Sequence, residues 1–168
     1  MKIVNRIALS LLFGYVLATG AAAQTSQPGA ARRVLDDYLT AQSALARDSL
    51  KGVSASAQAI VAAMRNDETK ALEIPRQAEA LAKATSLPKA RKAFKALSES
   101  LIEYLQVSGF PPGTYYEMYC PIAKAMWLQT GEEAKNPYLG GRATTPTWGW
   151  ACASVVKSKF ESASGPAP

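Results

Sequence analysis

The residues best suited to chemistry are two cysteines in the last third of the chain, Cys120 and Cys152. Two thiols in an exported protein usually form a disulfide, and as thiolates they can instead bind a soft metal ion. Met118 and Met126 lie close to the first cysteine and supply thioethers, which suit Cu(I). The sequence therefore offers a structural disulfide or a Cu(I) site in which Met118 or Met126 is the third ligand.

We favour the disulfide between Cys120 and Cys152, because the ligand set for a metal is thin. A bridge closing the long loop between these cysteines would stabilise the fold by roughly 3–4 kcal/mol on the chain-entropy model. No cofactor is required by the sequence, and Cu(I) remains the one candidate.

The chain contains no histidine, and this excludes several classes of site. Ser-His-Asp and Cys-His nucleophile systems, histidine-based zinc sites and histidine-ligated haem all need an imidazole. Ser-Lys and paired-carboxylate chemistry survive in principle, so an enzyme of that kind is a third, weaker hypothesis. No paired-carboxylate motif is visible in an apolar setting, however, and the Ser-x-x-Lys instances are not enough to claim a site, so we expect no enzymatic activity.

The first 23 residues have the pattern of an export signal. Lys2 and Arg6 precede a short apolar run, and three alanines end at Ala23. The apolar run is too short for a comfortable transmembrane span, and no second run of about 18 apolar residues follows. We predict cleavage after Ala23, a periplasmic or secreted product without a transmembrane span, and a single domain over residues 24–168.

The charge balance of the exported product is mild. Without Lys2 and Arg6 the 19 basic residues become 17, against 13 acidic residues, which leaves a net charge of +4. Nucleic-acid binding usually shows a denser basic patch, so we expect no nucleic-acid partner. We expect a monomer.

Apolar residues at helical spacing predict four helices between residues 30 and 108. The fourth is the clearest, because Ser86 and Pro88 mark its start and Gly109 marks its end. Four amphipathic helices with short connections predict an up-down four-helix bundle. Basic residues near the start of the fourth helix suggest either an acidic partner or lipid headgroups, or simply a solvated face, which we favour.

After Gly109 the helical period is lost, and Tyr115–Tyr119 is expected at most as a short extended piece. Residues 109–155 are rich in Cys, Trp and Tyr, and we interpret them as an irregular cap tied by the disulfide. Residues 156–168 are predicted to form a short final helix and a tail. The predicted fold class is therefore all-α, an up-down four-helix bundle with an irregular, disulfide-tied C-terminal cap.

Three segments in order, KARKAFKALSESLIEYL, YYEMYCPIAKAMWL and NPYLGG, followed by a late cysteine, carry a family resemblance. They resemble a family of exported bacterial helical domains of unknown function, often fused to or encoded beside periplasmic adaptor subunits of heavy-metal efflux pumps. The residues that fit the family pattern are Arg91, Phe94, Leu97, Ser98, Cys120, Pro121, Trp127, Leu128, Asn136, Pro137, Tyr138 and Cys152.

The resemblance implies a helical bundle, a link to copper or silver handling, and no enzyme activity. The resemblance also singles out Arg91, which we expect to hold the C-terminal cap by hydrogen bonds to backbone carbonyls. Two departures weaken the metal link, because each removes a methionine. Ile122 stands where the family has a methionine after Cys-Pro, and the methionine that the family carries shortly before the last cysteine is absent, where Ala151-Cys152-Ala153 replaces the Cys-Gly ending.

Two functions follow from the sequence. The favoured one is a non-enzymatic exported accessory protein in copper or silver handling, or in contact with an efflux adaptor. The alternative is a periplasmic interaction or structural module that needs no metal. In both cases the expected partner is a periplasmic efflux adaptor or another envelope protein.

Overall fold

The computed structural model describes residues 29–65, 73–143 and 154–163. The predicted signal peptide, residues 1–23, lies outside these ranges, and so does Cys152. Cys120 is the one cysteine within them, and it is not a free thiol. Because Cys152 is not described, the pairing of Cys120 with Cys152 stays a prediction.

Four helices are present, as predicted. They are α1 (Gly29–Ala46), α2 (Val53–Met64), α3 (Glu73–Ala82) and α4 (Leu87–Ser108). Each buries an apolar stripe, because an isolated amphipathic helix gains most of its stability from packing that face. The stripe of α4 contains Phe94, Leu97 and Leu101, all fully buried.

The predicted limits of α4 agree with the structure. Ser86 occupies the N-cap position and Pro88 lies in the first turn, although the Ser86 side chain makes no capping hydrogen bond. At the other end, the Gly109 N–H donates to the carbonyl of Leu105, and Gly109 has a φ of 92°. That backbone conformation favours glycine, which explains why the helix ends there.

The all-α prediction is wrong, because three strands follow the helices. They are β1 (Gly113–Cys120), β2 (Ala125–Gln129) and β3 (Val155–Ser162), and they form an antiparallel sheet in the order β2-β1-β3. The predicted irregular cap at 109–155 thus contains two strands and a short 3-10 helix, Gly140–Ala143. The final helix predicted in 156–168 is a strand over the described part of that segment.

The extended piece expected at Tyr115–Tyr119 lies within β1, whereas β2 and β3 could not be predicted from the sequence, for a physical reason. β1 is rich in tyrosine and β3 begins with two valines, residue types that suit a pleated sheet. However, β3 pairs with β1 across some forty residues of sequence, for example Tyr115 with Phe160. The helical period is visible within a single segment, whereas such a pairing becomes visible only in three dimensions.

Alternation along β1 and β2 sorts their side chains onto two faces of the sheet. Met118 pairs with Trp127, and Cys120 pairs with Ala125. These four residues share one face, and all four are buried. Met126 pairs with Tyr119 and lies on the other face.

Within the described ranges, no helix has the length and apolar character needed to span a bilayer.

Phe94 lies at the centre of the core, where its ring stacks on Tyr38 with centroids 4.8 Å apart. We predict that Phe94→Ala lowers the free energy of unfolding by about 3–5 kcal/mol, because it removes a buried aromatic ring and leaves a cavity. Urea denaturation followed by circular dichroism measures this loss. Val107→Ala is the control: its side chain is 87% exposed, so the change should be within about 0.5 kcal/mol. Similar losses for the two variants would contradict the central position of Phe94.

Candidate functional site

Several of the described residues that fit the family pattern meet where the helices contact the sheet. We call this region the seam and define it by Arg91, Phe94 and Ser98 of α4, Trp127 of β2, and the segment Asn136–Tyr138 that follows β2. Phe94, Ser98 and Trp127 are fully buried, and Asn136 and Tyr138 are nearly so. Cys120 lies in β1 on the buried face that it shares with Trp127.

The outer edge of β2 faces the seam. β2 pairs with β1 on one side only, so backbone groups on its other side need partners. The Leu128 N–H donates to the Tyr38 hydroxyl at 3.1 Å, and the Tyr138 hydroxyl donates to the Met126 carbonyl at 2.5 Å. Tyrosine side chains thus occupy the positions that a fourth strand would fill.

Ser98 joins the two tyrosines. Its Oγ lies 2.8 Å from the Tyr38 hydroxyl and 3.3 Å from the Tyr138 hydroxyl. We call Tyr38, Ser98 and Tyr138 the hydroxyl chain. The Tyr138 hydroxyl donates to the Met126 carbonyl and is also placed to donate to Ser98 Oγ, whereas either hydroxyl of the Tyr38–Ser98 pair can donate to the other. None of the three hydroxyls is left without a partner.

Burial raises the pKa of both tyrosines above the ordinary value. It is the main cause at Tyr38, where hydrogen bonds from Ser98 and the Leu128 backbone oppose it. At Tyr138 burial also dominates and places the pKa well above the ordinary range. Both phenols therefore remain protonated at neutral pH, which makes them hydrogen-bonding groups and poor general bases.

Aromatic rings surround the hydroxyl chain. Phe94 lies 6.1 Å from the Tyr138 ring, and Trp127 meets that ring edge-on at 5.9 Å. The Trp127 indole N–H donates to Gln129 Oε1 at 2.9 Å. Such contacts exclude water, which strengthens the hydrogen bonds of the chain and makes the loss of any one partner more costly.

Arg91 forms a second connection across the seam. Its Nε donates to the Pro137 carbonyl at 2.9 Å, and a terminal nitrogen donates to the Leu45 carbonyl at 3.1 Å. The same nitrogen contacts Asp48 Oδ1 at 2.5 Å. The Arg91 side chain is only 11% exposed. One guanidinium therefore joins α4, the end of α1 and the segment after β2.

Asp48 extends this connection to the 3-10 helix. Its second carboxylate oxygen accepts from the Gly141 N–H at 2.8 Å. Gly140 has a φ of 58°, and a side chain there would overlap the Asp48 carboxylate and the Arg91 guanidinium. A glycine is therefore needed at position 140 for both conformational and steric reasons.

Asn136 shapes the segment that carries Tyr138. Its side-chain oxygen accepts from the Tyr138 N–H at 2.8 Å and the Leu139 N–H at 3.1 Å, which is an Asx turn. Its side-chain nitrogen donates to Ser154 at 3.3 Å. Pro137 fits inside this turn and presents its carbonyl to Arg91. The Asn-Pro-Tyr motif thus aims one side chain and one carbonyl into the seam.

Sequence analysis missed the polar partners of the seam. Gln129 accepts from the Lys135 N–H at 3.0 Å and donates to the Glu133 carbonyl at 2.8 Å, which orders the turn after β2. Gln42 of α1 donates to the Lys135 carbonyl at 2.5 Å. The sequence did contain one signal for Gln42, because it is a polar residue on the apolar stripe of α1. In the structure its side chain is buried, with 3% exposure.

The predicted soft-metal ligands are only partly brought together. Met118 and Cys120 share a buried face of the sheet, whereas Met126 lies on the opposite face. Cys152 falls outside the described residues. Across residues 29–65, 73–143 and 154–163, no group of three or more His, Cys, Asp or Glu side chains is arranged to hold a metal ion.

Two shallow depressions lie on the helical surface, away from the seam. One is lined by Val61, Arg65 and Glu79 on α2 and α3, and the other lies between α1 and α2. No seam residue lines either depression. The polar groups of the seam therefore form hydrogen bonds within the chain, and these bonds connect the helices to the sheet.

Together, the fold and the seam define a small α/β protein in which a helical domain is joined to a three-stranded sheet by buried polar contacts. Residues 34–111 match a family model described as a protein of unknown function, DUF3347. A domain of that description therefore extends from α1 to just beyond α4, and the sheet lies outside the match. No curated protein and no solved structure gives a significant match.

Removal of the Arg91 side chain tests the second connection. We predict that Arg91→Ala lowers the free energy of unfolding by about 2–4 kcal/mol, because two backbone carbonyls lose a charged donor. Arg91→Lys should recover only part of this loss, since an ammonium group cannot reproduce the guanidinium geometry. Lys92→Ala, at the next and exposed position, is the control in urea denaturation. A loss for Arg91→Ala no larger than the control would show that Arg91 is dispensable.

The hydroxyl chain predicts a loss of stability in alkaline solution. An unfolded tyrosine ionises near pH 10, whereas the raised pKa keeps folded Tyr38 neutral. Stability is therefore complete below about pH 10 and falls above it, by up to about 1.4 kcal/mol per pH unit for each such tyrosine. Tyr38→Phe should reduce this slope in urea denaturations at increasing pH. Ser98→Ala is the control, because it disturbs the chain and removes no tyrosine. An unchanged slope in Tyr38→Phe would argue against the burial of its hydroxyl.

Proposed function

We propose that this chain is a non-enzymatic, exported interaction module of the bacterial envelope that works without a metal ion. One observation carries the proposal: the polar side chains of the seam bond to backbone groups and side chains of the chain itself. Arg91 is committed to Leu45, Asp48 and Pro137, and the hydroxyl chain is committed to β2. A site for catalysis would need some of these groups to face a substrate.

The chemistry of the same residues supports a non-enzymatic role. The two seam tyrosines are protonated and enclosed, and Arg91 is held by the carbonyls of Leu45 and Pro137. The chain lacks histidine, the commonest general acid and base at neutral pH. What remains for function is the surface that this rigid frame presents to a partner.

The proposed partner is a protein of the envelope. The family resemblance favours a periplasmic adaptor subunit of a heavy-metal efflux pump, and the export signal pattern at residues 1–23 is consistent with that compartment. In this account the seam fixes the orientation of the sheet on the helical domain, so that both present one surface. Orientation by buried contacts reduces the entropy lost on binding.

A second candidate is the handling of copper or silver ions. The observation in its favour is that Met118 and Cys120 alternate along β1 and share one face. Cys120 is not a free thiol in this structure, so the site would exist only after reduction, when a thiolate and a thioether at this spacing would be suitable soft ligands. Both side chains are buried, however, so that a metal ion would enter only if the sheet face opened.

A Cu(I) titration of the reduced protein separates the two candidates. The interaction module predicts that the protein retains no stoichiometric Cu(I) against a competing chelator such as bathocuproine disulfonate. The metal account predicts one Cu(I) per chain, lost in Cys120→Ser because a hydroxyl is a poor ligand for this ion. Met64→Leu is the matched control, since Met64 is buried on α2 away from the sheet. Tight binding that disappears only in Cys120→Ser would overturn the metal-independent function.

Binding to a purified efflux adaptor tests the partner. We expect the same affinity with and without a metal chelator. A requirement for Cu(I) would contradict the proposal. Failure of the adaptor to bind under either condition would exclude this partner.

A further inference from the structure

One end of the helical bundle collects basic residues from three segments, the α1–α2 loop, the α3–α4 loop and the start of α4. The α1–α2 loop and the α3–α4 loop lie together at this end, because Ser54 at the start of α2 donates to the Ala82 carbonyl at the end of α3. Arg91 near the start of α4 contacts Leu45 at the end of α1. We call this region the basic end. Its exposed cations are Arg47, Lys51, Lys83, Lys89 and Lys92.

Few negative charges oppose these cations. Asp48 is engaged by Arg91 and by the Gly141 N–H, and Glu79 lies 3.7 Å from Lys83. With Arg91 included, six cations meet two carboxylates. Lys51, Lys89 and Lys92 form no ion pair with any described residue.

The position of these lysines is unfavourable for the folded chain itself. Lys89 lies in the first turn of α4 and Lys92 in the next, near the positive end of the helix dipole. Neither α2 nor α4 has an acidic residue in its first turn to offset that field. Such uncompensated charge attracts an external anion and increases the rate at which an anionic surface is encountered.

The composition of the basic end indicates which anion. Protein interfaces are enriched in aromatic residues and arginine and depleted in lysine, whereas four of these five cations are lysines. The large exposed apolar residues, Val107, Ile122, Val155 and Val156, lie outside the two loops and the helix ends that form the basic end. A cluster of lysines without aromatic neighbours is therefore better suited to binding lipid phosphate headgroups, which attract it by charge alone.

We propose that the basic end docks this protein on an anionic lipid surface. This goes beyond the proposed function, since a partner protein could bind with or without lipid. Each lysine or arginine brought near an anionic membrane strengthens binding roughly fivefold, and the attraction fades over about 8 Å at physiological salt. Several cations at one end therefore give reversible, salt-sensitive binding, with the helices directed away from the bilayer.

Vesicle co-sedimentation tests the proposal with protein recovered from the periplasm of an expressing bacterium. The exported protein should sediment with phosphatidylcholine vesicles that contain phosphatidylglycerol, and should remain in solution with pure phosphatidylcholine. Reversal of charge at Lys51, Lys89 and Lys92 to Glu should reduce binding at least about 100-fold, since three attractions of about fivefold each are lost. High salt should release the bound protein.

The matched control reverses the same number of charges elsewhere. Arg33 on α1, Lys124 between β1 and β2, and Lys157 on β3 are exposed and belong to none of the segments that form the basic end, and their change to Glu should leave most of the binding. Circular dichroism establishes that both triple variants are folded. Equal loss in the two variants would show that net charge alone is responsible and would overturn the proposal. Retention on immobilised polyglutamate without vesicle binding would overturn the lipid assignment in favour of an acidic protein.

Discussion

The structure depends on how the outer edge of β2 is satisfied. Its backbone groups face the helices, where an unpaired N–H or carbonyl costs free energy comparable to a lost hydrogen bond. Tyr38 and Tyr138 bond to Leu128 and Met126, and Ser98 connects the two hydroxyls. A sheet that would otherwise expose an open edge is thereby fixed to the bundle by three side chains.

Arg91 repeats the same principle at a second point. Its guanidinium holds the Pro137 carbonyl, just before Tyr138 enters the core. Both connections join the helical domain at 34–111 to the segment after β2, which lies outside the family match. Residues of α4 and of the Asn-Pro-Tyr turn are therefore hydrogen-bonding partners of one another.

The helices could be predicted because their signal is local. The apolar period of α4, with Ser86 and Gly109 at its limits, is legible in one segment of sequence. β3 was misread as a helix, since its pairing with β1 depends on residues far away in the chain. Only part of the seam could be predicted: the family pattern includes Ser98 and Tyr138, whereas Tyr38 occupies a position on the apolar stripe of α1 and has no distinguishing feature in the sequence.

If the hydroxyl chain holds the sheet on the helices, the helices and the sheet should unfold in the same cooperative step. Native-state hydrogen exchange of the Leu128 amide, compared with the Leu101 amide in the middle of α4, tests this most directly. The account predicts equal opening free energies for both amides, since the Leu128 N–H is released only when α1 and α4 separate from β2. A Leu128 amide that exchanges by a low-energy local opening, while Leu101 stays protected, would contradict it.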